Sequence, residues 1–268
     1  MYDTIYLVFT YVLMGLLGLC VGSFLNVVIY RVPRGMSVSY PSSHCTSCAY
    51  SLRWYDNIPV ISYCFLRGKC RKCHAPISPR YTIVELANML LWLLCVWRFF
   101  SVDVFGILRT ACVAVLCSVL ICVFFIDLEH KIIPDRFNII IAVLGVILTV
   151  SDAAEMGGWA THLIGLAVGG GFFLAVYYLA ILVYKREGLG FGDVKLMAAA
   201  GLFLGWLNVF LAVLIASVTG SIVLLAVRNR TKAGKGTEYP FAPFLAVGIL
   251  LASLFGDALV GWYLGLLS

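Results

Sequence analysis

Four cysteines form two pairs at C-x-x-C spacing, Cys45/Cys48 in "CTSC" and Cys70/Cys73 in "CRKC", with 21 residues between the pairs. Two such knuckles can converge on one tetrahedral zinc, with four thiolates at about 2.3 Å. The segment 31–81 that carries them is too small to build a generous core, so a metal staple makes physical sense. His44 and His74 adjoin ligand cysteines, but four thiolates already complete the shell. Cys64 lies outside the C-x-x-C spacing. Cys20, Cys95, Cys112, Cys117 and Cys122 fall in apolar runs, where cysteine behaves as a small hydrophobe.

A second constellation is acidic. Asp127 closes the apolar run that starts at Phe105, in "FFIDLEHKIIPD", and Asp193 opens another, in "GLGFGDVKL". Two carboxylates on different helices at one depth suit aspartic proteolysis. One is ionised and takes a proton from water, while the other keeps its proton and hydrogen-bonds the scissile carbonyl. Like charges at close range keep one proton between them, and the titration belongs to the pair. Gly188, Gly190 and Gly192 precede Asp193. Residues without side chains leave the backbone free and let a peptide approach. Asp193 then falls in the first turn of its helix, near the positive end of the dipole. Lys195, two residues on, supplies either a local positive field or a snorkelling anchor. Asp at a helix N-terminus is also a common cap; Asp127, Glu129 and Asp135 are all interfacial, one or two of them can simply be solvated, and Asp135, after Pro134 and before the fourth span, fits an N-terminal helix role.

The elements that position these groups are membrane spans. Of 268 residues 62% are hydrophobic and 12% charged, and the mean hydropathy is +1.01, whereas soluble domains carry about 25% charged residues. The expected fold is an all-α polytopic membrane protein with about eight transmembrane helices and a small zinc-stapled domain in the first cytoplasmic loop. Apolar runs place the spans at 5–29, 82–100, 104–126, 137–151, 159–184, 194–206, 207–227 and 241–267. The first is too long for a signal-peptide core and no cleavage site closes it, so it reads as a retained span. Loop 31–81 holds eight basic residues and one acid, Asp56, which makes it cytoplasmic and puts the N-terminus outside. With eight spans, 17 of the 19 basic residues face the cytoplasm and only Arg98 and Arg109 lie outside. Merging 194–227 into one span would export the basic loop at 228–240. The net charge of +6 is therefore mostly topology, and no nucleic-acid-binding pattern is visible. Asp127 and Asp193 both fall at the cytoplasmic mouth.

The pairing of Asp127 in "DLEHKIIPD" with Asp193 in "GFGD" resembles the bacterial type IV prepilin peptidases, polytopic GxGD aspartyl proteases. "GSFLNVVIYRVPRG" at 22–35, both cysteine pairs, "WYDNIPVISY" at 54–63, "LRGKCRKC" at 66–73 and "ISPRYTIVE" at 77–85 resemble the amino-terminal half of its bifunctional members. "PFAPFLA" at 240–246 departs from that pattern, with Ala242 where glycine is expected. The resemblance implies cleavage of the basic leader of type IV prepilins or type II secretion pseudopilins. It also implies N-methylation of the new terminus with S-adenosylmethionine, in the bacterial inner membrane. It implies Asp127 and Asp193 as the catalytic pair, with Gly190, Gly192 and Lys195 as supporting loop, and zinc on Cys45, Cys48, Cys70 and Cys73. The expected division is a methyltransferase-type region at 1–103 and a peptidase domain at 104–268. No G-x-G-x-x-G cradle is present, and the methyl-donor site is not legible. Asn26, Arg31, Asp56, Asn57 and Glu85 are the polar residues of the matching motifs. Two rival classes are a presenilin-type GxGD protease, disfavoured by the cysteine loop, and a zinc-sensing transporter, which would carry its acids at mid-membrane depth.

Overall fold

A computed structural model describes residues 2–152, 158–185, 189–231 and 239–266. The described residues form helices and connecting turns, with no strand among them. Over the described residues each of the eight expected spans corresponds to one helix, and six of those helices are long and apolar enough to cross a membrane. Glu155, Arg186, Gly188, Lys232 and Lys235 lie outside the described residues. The chain divides into two compact units, residues 1–122 and 123–268.

In the first unit, α1 (Tyr2–Arg31) and α3 (Arg80–Phe99) pack antiparallel. Their register is set by glycines one turn apart. A side-chain carbon on Gly18 would meet the Met89 Cα at 3.0 Å, and one on Gly22 would meet the Glu85 Cα at 2.8 Å. Lipid tails give helices no hydrophobic reason to associate, so small residues that admit close backbone packing drive the contact. Polar groups then lock it. Asn88 Nδ2 donates to the Gly18 carbonyl at 2.8 Å, and Ser118 Oγ donates to Asn88 Oδ1 at 2.7 Å. Ser118 belongs to α4 (Val104–His130), and its hydroxyl also accepts the Trp92 indole N–H at 3.0 Å.

Loop 31–81 returns onto these helix ends around the short α2 (Ile61–Phe65). Arg31 is buried and donates to the Ser37 carbonyl at 3.0 Å and the Pro41 carbonyl at 2.6 Å. Glu85 Oε2 accepts the Val60 N–H at 2.7 Å and ties the loop to α3. Asp56 accepts from Arg71 Nε at 2.6 Å, from the Arg53 N–H at 3.3 Å and from the Tyr50 hydroxyl at 3.3 Å. Burial opposes its ionisation, but these donors, Arg71 foremost, hold the carboxyl below the usual carboxylate range.

The second unit holds the end of α4 and five further helices: α5 (Asp135–Asp152), α6 (Gly158–Tyr184), α7 (Phe191–Leu204), α8 (Trp206–Thr231) and α9 (Ala242–Gly265). The apolar stretch after Lys195 is two helices, as the charge argument against a single span predicts. Gly205 takes φ +78, a conformation open chiefly to glycine. At 14 residues α7 is about 21 Å long at helical rise, against a hydrocarbon core of about 30 Å. Val194, Leu196, Met197 and every residue from Ala199 to Leu204 are buried. A helix apolar on all sides belongs inside a bundle, and α7 is wrapped by α5, α6, α8 and α9.

The packing separates two glycine substitutions. Gly22→Ala forces a carbon against the Glu85 backbone and is expected to lower stability by about 1–3 kcal/mol. Gly171→Ala meets open space and should be neutral or slightly stabilising through helix propensity. Thermal unfolding of both variants in detergent, beside the parent, checks the difference.

Candidate functional site

The two cysteine knuckles are built alike. The Cys45 N–H bonds to the Tyr50 carbonyl and the Cys70 N–H to the Ala75 carbonyl, both at 2.9 Å. The residue after each second cysteine turns to positive φ, Ala49 at 55 and His74 at 58. Each turn aims two sulfurs at the same point. Cys45 Sγ lies 3.8 Å from Cys73 Sγ, Cys48 Sγ lies 4.0 Å from Cys70 Sγ, and all four fall within 4.8 Å of one another. Four thiolates around one zinc at about 2.3 Å stand roughly 3.8 Å apart, so the donor set fits that ion in number, chemistry and spacing. Backbone N–H groups of Ser47 and then Cys48 hold the Cys45 thiol down at about 6. Cys73 moves the other way, to about 11: the Ala75 N–H favours its thiolate, but burial and the neighbouring thiols outweigh it. A divalent cation displaces the remaining protons on binding. His44 is not part of the cluster, its Nδ1 lying 3.1 Å from the Ser42 carbonyl, and Cys64 is exposed and apart.

The acidic pair comes together in the second unit. Asp127, in the last turn of α4, is 6% exposed, and Asp193, in the first turn of α7, is 7% exposed. They are near enough for the Asp127 charge to act on Asp193. Each carboxylate meets a helix N-terminus. The Asp193 N–H donates to the Gly190 carbonyl at 3.0 Å while its carboxylate faces the Gly190 N–H. The Asp127 carboxylate faces the backbone N–H of Ala242, the first residue of α9. Unpaired N–H groups and the positive dipole end favour an anion at both points.

Gly190 does not use the dihedral freedom expected of it. Its φ is −70 and ψ 137, which any residue adopts. The need is for space: a side-chain carbon there would stand 3.3 Å from Asp193 Oδ2, and one on Gly192 would stand 3.2 Å from Ile133 Cβ. Lys195 donates to Asp135 Oδ1 at 2.8 Å and lies over the Phe191 ring, fastening the first turn of α7 to the start of α5. Ala242, noted in the sequence for standing where glycine is expected, takes part in the site through its backbone N–H. The "PFAPFLA" motif was the available signal, but a backbone donor leaves no mark in residue type.

Residues 16–99 match the family model described as the bacterial peptidase A24 N-terminal domain, and residues 114–225 match that of the type IV leader peptidase family. The prepilin leader peptidase/N-methyltransferase of Stutzerimonas stutzeri is 36% identical over 272 residues, covering 92% of this chain and 91% of that protein. The protein of the same description from Pseudomonas aeruginosa is 34% identical, covering 93% and 91%, and that from Legionella pneumophila is 31% identical, covering 96% and 95%. No solved structure matches the chain. Helical membrane architecture, the pair of buried carboxylates and agreement over nearly the whole length lead to one assignment: the chain belongs to the type IV leader peptidase family.

Proposed function

We propose that Asp127 and Asp193 cleave the basic leader from prepilins or pseudopilins at the cytoplasmic face of the inner membrane, and that the chain then methylates the new terminal amine. The observation that carries this reading is the pair of buried carboxylates, each at a helix N-terminus and within electrostatic reach of the other, in a chain of this family. One carboxylate takes a proton from water as the oxygen attacks the scissile carbonyl, and its partner donates to the carbonyl oxygen. The collapse of the tetrahedral species returns a proton to the leaving amine. Gly190 and Gly192 keep side chains away from this point, and Lys195 positions the first turn of α7 through Asp135. Cleavage belongs to 104–268, and methyl transfer to 1–103, whose loop 31–81 is held by zinc on the four cysteines. S-adenosylmethionine supplies the methyl group. The basic loops set the N-terminus outside.

Water must reach the pair. Asp127 Oδ2, His130 Nε2 and both amide atoms of Asn138 are buried without a protein hydrogen-bond partner. Such atoms are satisfied by ordered water when a site is polar and roomy enough. The mouth of α7 is therefore the hydrated end of the unit, and the substrate helix stays in lipid.

Three outcomes test this reading. Asp127→Ala, Asp193→Ala and the Asn variants at both positions should lose at least about 100-fold in leader removal, the size of a general acid–base contribution. Glu129→Ala and Asp135→Ala should retain measurable cleavage. Mass spectrometry of a pilin bearing its leader reads both, and normal cutting by the Asp193 variants would remove the assignment. Elemental analysis should find one zinc per chain, and replacing any one of the four cysteines should make loop 31–81 protease-sensitive, because metal binding is folding energy in so small a unit. A zinc-free protein with an intact loop would refute the staple. Single cysteines from Phe191 to Ala200 should react with a membrane-impermeant thiol reagent at 191 and 192, then at 195 and 198, whose side chains are half-buried, and then fade. Uniform protection from Phe191 onward would mean a dry mouth.

A further inference from the structure

The first unit encloses a cavity of about 440 Å³ between α1, α3 and the cysteine loop, within the roughly 300–1,000 Å³ of small-molecule and cofactor sites. Its floor is polar and buried. Asn26 is 3% exposed, and its Nδ2 donates to the Gly22 and Tyr81 carbonyls at 3.3 and 3.1 Å. Its Oδ1 has no protein partner, and neither has Thr82 Oγ1. Glu85 is 7% exposed, and its carboxylate meets the Val60 N–H and the Ser23 hydroxyl. No lysine or arginine among the described residues pairs with it. The α1–α3 register gathers these groups, with Gly22 against Glu85 and Asn26 against Tyr81.

A buried carboxylate without a cation is expensive. Here it shares one cavity with two unpaired oxygen acceptors. An alkylammonium group offers a positive charge and three N–H donors, which is the complement of this floor. Access exists along α1. A neighbouring cavity of about 370 Å³ shares Ser23, Val27 and Arg31 with the first and reaches Cys20 and Phe24. Phe24 is 51% exposed on the outer side of that helix, where an apolar chain segment can lie.

We propose that these joined cavities are the methyl-transfer site. The loop wall of the larger cavity takes S-adenosylmethionine. Glu85, with Asn26 and Thr82, receives the α-ammonium group of the processed pilin as it arrives past Phe24. The proposal rests on the methyltransferase reading above. Glu85 takes one proton from the ammonium group. The freed lone pair bonds to the methyl carbon, the carbon–sulfur pair stays on sulfur, and the products are an N-methylammonium terminus and a neutral thioether. Glu85 then releases its proton to water. Enclosure of both partners in one cavity aligns the lone pair with the carbon.

The test uses the full-length protein in detergent, tritiated S-adenosylmethionine and a leader-free pilin. Zinc content and leader removal report that each preparation is folded. Glu85→Gln should bind S-adenosylmethionine within threefold of the parent but methylate at least 100-fold more slowly, and Glu85→Asp should recover part of the rate. Val27→Trp, which fills the junction of the cavities, should still bind S-adenosylmethionine but lose methylation of the pilin. Ultraviolet cross-linking of the donor to the parent protein should label peptides within residues 20–85. Unchanged methylation by Glu85→Gln, or a label mapping outside 20–85, overturns the site. A parent protein that removes leaders yet neither binds S-adenosylmethionine nor methylates overturns the methyltransferase reading itself, and this site with it.

Discussion

The second unit depends on backbone-to-backbone contact around one short helix. α7 presents neither a lipid face nor a water face along most of its length, so its neighbours must come close on every side. Glycine permits this. A side-chain carbon on Gly165 would fall on the Gly201 carbonyl, one on Gly169 would fall on the Met197 carbonyl, and one on Gly145 would stand 3.0 Å from the Leu202 backbone. In lipid, where apolar burial gives helices little reason to associate, such contacts are the cohesive force. Rigidity follows, because a buried helix pinned by backbone contacts cannot rotate. The carboxylate at its head faces the Gly190 N–H of its own first turn, and buried His162 adds a pin at the other end through the Leu202 carbonyl at 2.9 Å.

The amino-terminal unit solves a different problem. Loop 31–81 has no helix longer than five residues and no strand among its described residues. Its order comes from local polar bonds: the repeated knuckle turns, the Arg31 side chain bridging carbonyls, and Asp56 collecting three donors. Such bonds each contribute only about 1 kcal/mol net, and a metal held by the convergent thiolates would supply the cooperativity that a core otherwise gives.

Much of this was legible in residue order, and the reasons are physical. Span positions follow from hydropathy because lipid leaves the backbone no other partner than its own helix. The division of 194–227 into two helices was readable because a single span would export the basic loop at 228–240. The cysteine cluster was readable because zinc demands four donors at fixed spacing. Asp193 was readable as an acid out of place at the head of an apolar run. What stayed hidden depends on packing. The Ala242 N–H beside Asp127 is a main-chain group that any residue would supply. Gly190 was expected to matter through dihedral freedom, but space beside the carboxylate is what it provides, a distinction only coordinates draw. Glu85 looked like one of several polar residues in a motif until the α1–α3 register placed it beside Asn26, under the loop and without a cation.

The two reactions proposed here ask opposite things of a buried carboxylate. Hydrolysis needs a pair, so that one oxygen can take a proton while another gives one, and it consumes water. Asp127 and Asp193 meet that need with helix N-termini to steady the ionised partner and with unpaired polar atoms nearby for water to satisfy. Methylation of an amine needs a single base and an incoming cation, and water is only a competitor for the amine's lone pair. Glu85 meets that need alone: it is buried, approached by a backbone N–H and a hydroxyl, and enclosed by the cavity that would hold the donor. A chain that cuts and then methylates one terminus must keep these environments distinct, since the water that serves the first reaction weakens every electrostatic contact in the second. Separate compact units, one with the aspartate pair and the other with Glu85, satisfy that requirement by construction.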